Sequence, residues 1–308
     1  MRPTRRRAVL TALGAGAGAV LTAAAPAPAS SHPPRSPAPT AGAVARALDD
    51  LEREHGARLG AYALDTGTGR AVAHRADEPF PVCSVFKTLA AAAVLRDLDH
   101  DGSTLARRIR YTRADTDRSG HAPWTGRPEN LANGLTIGEL CRVAITHSDN
   151  AAANLLLREL GGPSAVTRFA RSLGDRVTRL DRWEPELNSA EPDRETDVTS
   201  PRAIGRTYAR LVLGDALDRP DRALLTQWLC ANTTSGKRFR AGLPGEWRLG
   251  DKTGGGSFGT NNDAGVAWRP HGAPLVLVVL TTKPARDAPA DDALVARAAG
   301  VLAAAFAG

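Results

Sequence analysis

Strand-forming segments lie near both ends of this 308-residue chain, and helix-forming segments fill the stretch between them. Apolar runs at 59–65 and 70–75 flank Thr66-Gly-Thr-Gly69, whose glycines suit a tight turn between two strands. Further strand patterns follow at 249–252, 264–268 and 275–282. A sheet built from both ends must bring the ends together, so this order predicts a split α+β domain with a helical insertion.

Apolar residues recur at helical spacing over much of the remaining chain. The predicted helices cover 44–56, 85–98, 140–146, 151–160, 163–173, 201–213, 223–230 and 291–306. Thr136 and Glu139 form a capping-box pattern before the third of them. The polar segment 175–197 has little periodicity, and a loop of that length is usually functional.

Three short motifs carry groups suited to nucleophilic catalysis: Ser84-Val-Phe-Lys87, Ser148-Asp-Asn150 and Lys252-Thr-Gly254. Pro79 and Pro81 disfavour a helix before Ser84, whereas the Ala- and Leu-rich run after it favours one, so Ser84 begins a helix and Lys87 follows one turn later on the same face. A serine hydroxyl becomes a useful nucleophile when a nearby base takes its proton, and burial beside a second cation can lower a lysine pKa enough for that task.

The long polar segment supplies a fourth motif, Arg182-Trp-Glu-Pro-Glu-Leu-Asn188. A carboxylate held beside an amide can position and activate a water, which predicts Glu184 and Asn188 as such a pair. Glu186 is the other carboxylate in the segment.

The order and spacing of these motifs resemble the class A serine β-lactamases, from about residue 41 to the C-terminus. The resemblance implies an α+β fold in which a five-stranded antiparallel sheet is flanked by helices, an all-α domain is inserted, and the active site lies in the cleft between them. It assigns 41–82 and 231–308 to a discontinuous α/β domain, and 83–230 to the all-α domain, with the Glu-bearing loop at 175–197.

The resemblance also implies roles for individual residues. The implied catalytic residues are Ser84, Lys87, Ser148, Glu184 and Lys252, and the implied oxyanion hole is formed by the backbone N–H groups of Ser84 and Gly255. The implied substrate-binding residues are Asn150, Asn188, Thr253, Arg238 and Trp124. Those implied to hold the loop are Asn154, Arg182 and Asp197, with Glu186 pointing away.

The implied activity is hydrolysis of the β-lactam ring of antibiotics, and hence resistance, through a serine acyl-enzyme and a Glu-activated water. Either Lys87 or Glu184 acting through water can take the first proton. Two alternatives share Ser84 and Lys87: a penicillin-binding D-Ala-D-Ala peptidase, and a β-lactam sensor that stays acylated. Glu184 argues against both. Gly255 offers no side-chain hydroxyl at the pocket edge, which favours penicillins over other β-lactams.

The N-terminal residues have the pattern of an export signal. Thr4-Arg-Arg-Arg-Ala-Val-Leu10 has a twin-arginine pattern, an apolar stretch follows, and Ala27-Pro-Ala29 suits cleavage, so 1–29 is predicted to be a signal peptide of the twin-arginine type and 30–40 a disordered leader. We therefore expect a secreted, extracellular enzyme with no stable membrane association after signal removal, and a monomer.

The net charge and the spacing of possible metal ligands limit the kinds of partner and cofactor that we expect. Four of the seven net positive charges belong to Arg2, Arg5, Arg6 and Arg7, so the rest of the chain carries only +3, which does not suggest a nucleic-acid partner. No two of the seven histidines stand four apart, so neither a metal nor another cofactor is expected beside small-molecule β-lactam substrates.

The chain has an odd number of cysteines, Cys83, Cys141 and Cys230. We expect all three to be buried and unpaired.

Overall fold

A five-stranded antiparallel sheet lies at the centre of the computed structural model, which describes residues 39–306. Its strand order is β2-β1-β9-β8-β7, so strands from the two ends of the chain pair directly, with Ala61 opposite Val279. The strands are β1 Arg58–Asp65, β2 Ala71–His74, β3 Phe80–Pro81, β4 Arg108–Ile109, β5 Leu135–Thr136, β6 Val198–Thr199, β7 Arg248–Gly255, β8 Asn261–Trp268 and β9 Leu275–Thr282.

The described residues form twelve α-helices, and the caps of these helices explain several of their boundaries. Gly56 ends the first in a left-handed conformation, and Thr136 and Glu139 form the expected capping box before the sixth. The helices are α1 Ala41–His55, α2 Phe86–Ala93, α3 Ser103–Ala106, α4 Arg113–Arg118, α5 Pro128–Asn133, α6 Ile137–Thr146, α7 Asn150–Leu160, α8 Ser164–Ser172, α9 Pro201–Val212, α10 Arg219–Cys230, α11 Phe239–Gly242 and α12 Asp292–Ala304.

Each face of the sheet buries its own hydrophobic cluster. One face packs against α1, α11 and α12 through residues such as Leu48, Phe239 and Leu302. The other face packs against α9 and continues into the helical part of the chain, with Phe86 and Tyr208 fully buried in that cluster. Helices on both faces explain why β9 is buried along its whole length and reads as a continuous apolar run.

The fold predicted from the sequence, an α+β architecture around a five-stranded antiparallel sheet, is confirmed. Several boundaries differ from the prediction. The strand β7 runs to Gly255, three residues further than predicted, because β8 pairs with it throughout, and α10 begins four residues earlier because Asp218 caps it. A single long helix was predicted from 85 to 98, but the chain forms a 3₁₀ turn, then α2, then a π-helical turn at Val94–Leu98.

The predicted domain boundaries stay predictions. Residues 39–306 form one compact unit, and α9, within the predicted all-α part, packs on the sheet. Three two-residue strands, β4 to β6, also lie in that part. Thr40, the last residue of the predicted leader, caps α1. The predicted signal peptide and the rest of the leader lie outside the described residues.

Among residues 39–306, no helix is both long enough and apolar enough to span a membrane.

The helices α11 and α12 approach each other closely at Gly242, so a larger side chain there should lower the stability of the fold. A Cβ at Gly242 would lie within 2.7 Å of the carbonyl carbon of Ala296. Gly242→Ala should therefore destabilise the fold by about 1 to 3 kcal/mol, as overpacking typically does. Thermal unfolding measures this, and Gly245→Ala is the matched control because a Cβ there meets nothing within 4 Å. Equal melting temperatures for the two variants would contradict the packing argument.

Candidate active site

Ser84 lies in a tight turn at the start of α2. Cys83 has a positive φ of 43°, and the 3₁₀ turn Cys83–Val85 leads directly into the helix. A left-handed non-glycine residue is unusual and recurs at functional sites, so this turn sets the direction in which the Ser84 side chain leaves the backbone. Strand β7 passes close by, since a Cβ at Gly254 would lie 3.2 Å from the Cβ of Cys83. The predicted oxyanion-hole residues Ser84 and Gly255 are thus carried by adjoining segments.

Lys87 lies one turn after Ser84 and is fully buried. Its Nζ donates to Asn150 Oδ1 at 2.6 Å and to the Ser148 carbonyl oxygen at 2.8 Å, and it lies 3.0 Å from Glu184 Oε1. An ammonium has three N–H donors and no acceptor, so these three acceptors match its protonated form.

Ser148 lies between two lysines. Its Oγ accepts from Lys252 Nζ at 3.0 Å and lies 3.4 Å from Lys87 Nζ. Ser148 itself has a positive φ of 56°, in the break between α6 and α7. Because Lys252 Nζ donates to this hydroxyl, the proton of Ser148 itself is left to point elsewhere.

The Glu-bearing loop brings a carboxylate close to the nucleophile Ser84. Ser84 Oγ donates to Glu184 Oε1 at 3.4 Å, although the two residues are 100 positions apart. Asn188 Nδ2 donates to the other carboxylate oxygen, Oε2. The Glu184 side chain is fully buried, whereas Glu186 is exposed. The geometry therefore joins Glu184, and not Glu186, to the cluster.

Two clamps hold this loop. Asn154 Nδ2 donates to the Glu184 carbonyl oxygen at 2.8 Å, and Glu184 N donates back to Asn154 Oδ1 at 3.0 Å. At the loop ends, Arg182 Nε donates to Asp197 Oδ2 at 2.6 Å, and the backbone N–H groups of Asp181 and Arg182 donate to Asp197 Oδ1. Asp197 is 1% exposed, so its charge is compensated almost entirely by these donors.

Burial dominates the electrostatics of the cluster. It lowers the pKa of the Lys87 ammonium, while the neighbouring Glu184 acts in the opposite direction. Burial lowers the pKa of Lys252 further below its usual range, with additional contributions from Lys87 and Arg238. Burial and the repulsion between the two lysines therefore act against both carrying a charge at the same time.

Arg238 approaches the same end of β7 as Thr253. Its Nε donates to Asp292 Oδ1 at 2.8 Å and its Nη1 to the Gly254 and Asn262 carbonyl oxygens at 2.8 and 3.0 Å. Thr253 Oγ1 shares a short hydrogen bond with Thr234 Oγ1. The guanidinium is thus fixed in place, with its side chain 17% exposed.

Trp124 packs against Arg127 and His147. The guanidinium of Arg127 stacks 3.8 Å from its ring centre, and the His147 ring lies 4.8 Å away. Its backbone N–H donates to Asp149 Oδ2 at 3.0 Å. His147, the residue before Ser148, therefore contacts Trp124, which the resemblance implies is a substrate-binding residue.

Asp149 is a structural residue that the sequence analysis passed over. It is fully buried, caps α7 through Ala152 N, and accepts from Trp124 and Thr125. The signal was available, because an Asp directly before a helical run is a typical N-cap.

Asp251 and Asp263 form a second group that the sequence analysis missed. Both are fully buried beside Lys252 and Thr253, and neither Asp251 oxygen has a hydrogen-bond donor among the described residues. Burial, followed by the charge of Asp251, raises the pKa of Asp263 well above its usual range. Two buried carboxyls in contact retain a proton between them.

The structure also brings together one group of possible metal ligands, although the sequence predicted none. Ligand atoms of Asp49, Glu52 and His74 lie within 4.8 Å of one another. The Glu52 carboxylate, however, accepts from Arg75 at 2.8 and 3.0 Å and from Leu59 N at 2.6 Å, so an ion-pair network already occupies it.

The prediction for the cysteines was wrong in one respect. Cys83 and Cys141 are buried and all three thiols are free, but Cys230 is only half-buried because it closes α10 next to a surface cavity. Burial and the charge of Glu184 raise the pKa of Cys83, which makes this thiol a packing residue beside Ser84.

Known proteins resemble this chain over nearly its whole length. The Beta-lactamase enzyme family matches residues 43–306. A β-lactamase of Streptomyces albus G is 65% identical over 304 residues, which is 98% of this chain and 97% of that protein. The carbapenem-hydrolyzing β-lactamase KPC of Klebsiella oxytoca is 46% identical over 258 residues, covering 83% of this chain and 86% of that protein. The solved structure of the Streptomyces albus G β-lactamase superposes with a TM-score of 0.84 and 71% identity, covering 84% of this chain and 98% of that one.

The Asp251–Asp263 pair predicts a pH-dependent stability. In the unfolded chain the pKa of an Asp is about 3.9, whereas the pKa of Asp263 in the folded chain is higher. The stability that Asp263 contributes is thus fully present below about pH 4 and lost as the pH rises through its folded pKa. Asp263→Asn removes this titration.

We therefore expect the melting temperature of Asp263→Asn, relative to the parent, to increase between pH 4 and pH 8. Each kcal/mol corresponds to about 2 to 4 °C for a chain of this size. Asp193→Asn, at an exposed loop position, controls for the loss of a carboxylate. Parallel curves for Asp263→Asn and the parent would show that Asp263 titrates normally.

Proposed function

This chain belongs to the β-lactamase enzyme family and is a class A serine β-lactamase, and on that basis we propose how its residues divide the reaction. It is a hydrolase that opens the β-lactam ring of antibiotics and so provides resistance. The observation that carries the proposal is the contact of Ser84 Oγ with Glu184 Oε1 at 3.4 Å, inside a cluster that also contains Lys87.

Ser84 attacks the lactam carbonyl carbon, and its proton passes to a base as the new C–O bond forms. In the resting enzyme the three acceptors around Lys87 favour its ammonium form, which leaves Glu184 as the base and Lys87 as the cation that stabilises developing negative charge. The backbone N–H groups of Ser84 and Gly255 hold the oxyanion in this proposal.

Opening of the ring requires a proton on the lactam nitrogen. We assign this donation to Ser148, since Lys252 and Lys87 both approach its Oγ and leave its O–H free to point toward the substrate. Lys252 also lowers the cost of negative charge on that oxygen during transfer. Lys87 contacts both Glu184 and Ser148 Oγ, so it gives a proton to Ser148 and takes from Glu184 the proton that came from Ser84, which returns both groups to their starting states before deacylation.

The acyl-enzyme is then hydrolysed. Glu184 accepts the proton of the attacking water and returns it to Ser84 Oγ as the acyl C–O bond breaks. Asn188, whose amide donates to Glu184 Oε2, helps to orient that water. The clamps from Asn154 and from the Arg182–Asp197 ion pair support this role by fixing the position of the carboxylate. Errors of about an ångström in such a position can cost roughly a hundredfold in rate.

The substrate carboxylate is bound at the opposite end of the cluster. Thr253 supplies a hydroxyl there, and Arg238 supplies a fixed cation whose Nε and Nη1 are held by Asp292 and by backbone oxygens. A planar guanidinium suits a carboxylate well. Asn150 contacts the substrate amide, and Trp124 lines the mouth of the cleft.

The peptidase and the non-turnover sensor are not favoured. Both would use Ser84 and Lys87, but neither requires a carboxylate placed to activate water beside the nucleophile. The buried Glu184 with its amide partner Asn188 is the feature that supports turnover.

Glu184→Ala should separate acylation from deacylation. Without the Glu184 carboxylate, which acts to raise the pKa of Lys87, that pKa falls further and Lys87 can serve as the acylation base. Deacylation loses its general base and should slow by about 10² to 10⁴-fold. An acyl-enzyme on Ser84 should then accumulate with a burst of one equivalent of benzylpenicillin, detected by mass spectrometry.

Glu186→Gln is the matched control, because this exposed carboxylate is two residues away in the same loop. It should turn over benzylpenicillin at close to the parent rate without an accumulating adduct. The role assigned to Glu184 would be refuted by parental turnover in Glu184→Ala, or by an adduct that accumulates equally in both variants.

We also propose that the protein is exported by the twin-arginine route, cleaved near Ala29, and released as a monomer without stable membrane association. The pattern Thr4 to Leu10 and the apolar stretch after it support this. Replacing Arg5 and Arg6 by Lys should retain the precursor inside the cell, while the parent yields active mature enzyme in the medium as a monomer by size exclusion. Unchanged secretion of the double variant would rule out this route.

A further inference from the structure

A surface cavity of about 690 Å³ lies beside α10 and the first residues of β7. Its lining includes Arg219, Arg222, Gln227, Cys230, Arg248 and Trp268. None of these residues belongs to the catalytic cluster. The volume falls within the roughly 300 to 1,000 Å³ typical of sites for small organic ligands.

The lining is cationic without a matching acid. It contains three arginines and no Asp or Glu, and none of these arginines comes within 4 Å of a carboxylate oxygen among residues 39–306. Elsewhere in the chain, arginines such as Arg58, Arg182 and Arg238 each pair with a carboxylate. The cavity therefore concentrates guanidinium groups whose charge no neighbouring side chain neutralises.

Two of the three guanidiniums are held in position. The Arg248 guanidinium stacks over the Trp268 ring, 4.2 Å from its centre, and an Arg222 nitrogen donates to the Gly214 carbonyl oxygen. A held guanidinium loses less rotamer entropy when it binds a carboxylate or sulfonate. The Arg248–Trp268 stack also provides a flat surface on which an aromatic ring can lie.

We propose that this cavity is a binding site for an aromatic organic anion, a planar ring that carries a carboxylate or sulfonate. The anionic group pairs with Arg222 and Arg219, and the ring lies against Arg248 and Trp268. This site is separate from the catalytic reaction, and its existence does not depend on the roles assigned above.

Cys230 serves as a reporter inside the cavity. It is half-buried, whereas Cys83 and Cys141 are fully buried, so it is the thiol that a small alkylating reagent can reach. Its Sγ would lie 3.3 Å from a Cβ at Gly250, which places it next to β7. A bound ligand should therefore shield it.

The test uses the full mature chain and 8-anilinonaphthalene-1-sulfonate as the probe. Fluorescence titration should give saturable binding of about one probe per chain, and the uncharged analogue N-phenyl-1-naphthylamine should bind at least tenfold more weakly. Saturating probe should slow alkylation of Cys230 by iodoacetamide at least fivefold, measured by peptide mass spectrometry.

The double variant Arg222→Gln/Arg248→Gln should bind the probe at least tenfold more weakly and lose the protection of Cys230. Its circular dichroism and benzylpenicillin turnover should match those of the parent, which establishes that it is folded. Arg297→Gln is the matched control, because this arginine pairs with Glu54 outside the cavity.

The proposal is overturned if the probe does not bind, if the double variant binds as tightly as the parent, or if the neutral analogue binds equally well. It is also overturned if Cys230 reacts at the same rate with and without probe.

Discussion

The burial of three ionisable groups, Lys87, Glu184 and Lys252, is the constraint on which the rest of the active site depends. Each side chain is fully buried, and a buried charge without a partner is costly. The surrounding elements supply the partners: α2 carries Lys87, the break between α6 and α7 carries Ser148 and Asn150, β7 carries Lys252, and the Glu-bearing loop carries Glu184. Removing any one of these segments would leave a charge uncompensated.

The same requirement explains why several side chains outside and at the ends of the Glu-bearing loop bind its backbone. Glu184 reaches Ser84 only because Asn154 binds its backbone in both directions and because the buried Asp197 gathers Arg182 and two backbone N–H groups. Apart from the 3₁₀ turn Glu186–Ser189, this loop has no hydrogen-bond ladder of its own. These side-chain clamps replace that ladder, and they position the carboxylate.

Local sequence patterns predicted strands, turns and helix ends correctly where these depend on residues close together in the sequence. The hairpin between β1 and β2, the capping box of Thr136 and Glu139, and the glycine that ends α1 all depend on residues within a few positions of one another. Boundaries that depend on partners were less accurate. The extent of β7 is set by its pairing with β8, and half-buried Cys230 owes its exposure to a cavity formed by distant segments.

The sequence by itself determined the motifs, their order, and the placement of Ser84 and Lys87 on one helical turn, because spacing along a helix is a local property. It also identified, by resemblance, the residues expected to act. Only the tertiary structure decided that Glu184 lies 3.4 Å from Ser84 Oγ while Glu186 is exposed, and that Asp251 and Asp263 share a buried position beneath the cluster. Those contacts join segments far apart in the chain, so they follow from the packing of the whole fold and from no local pattern.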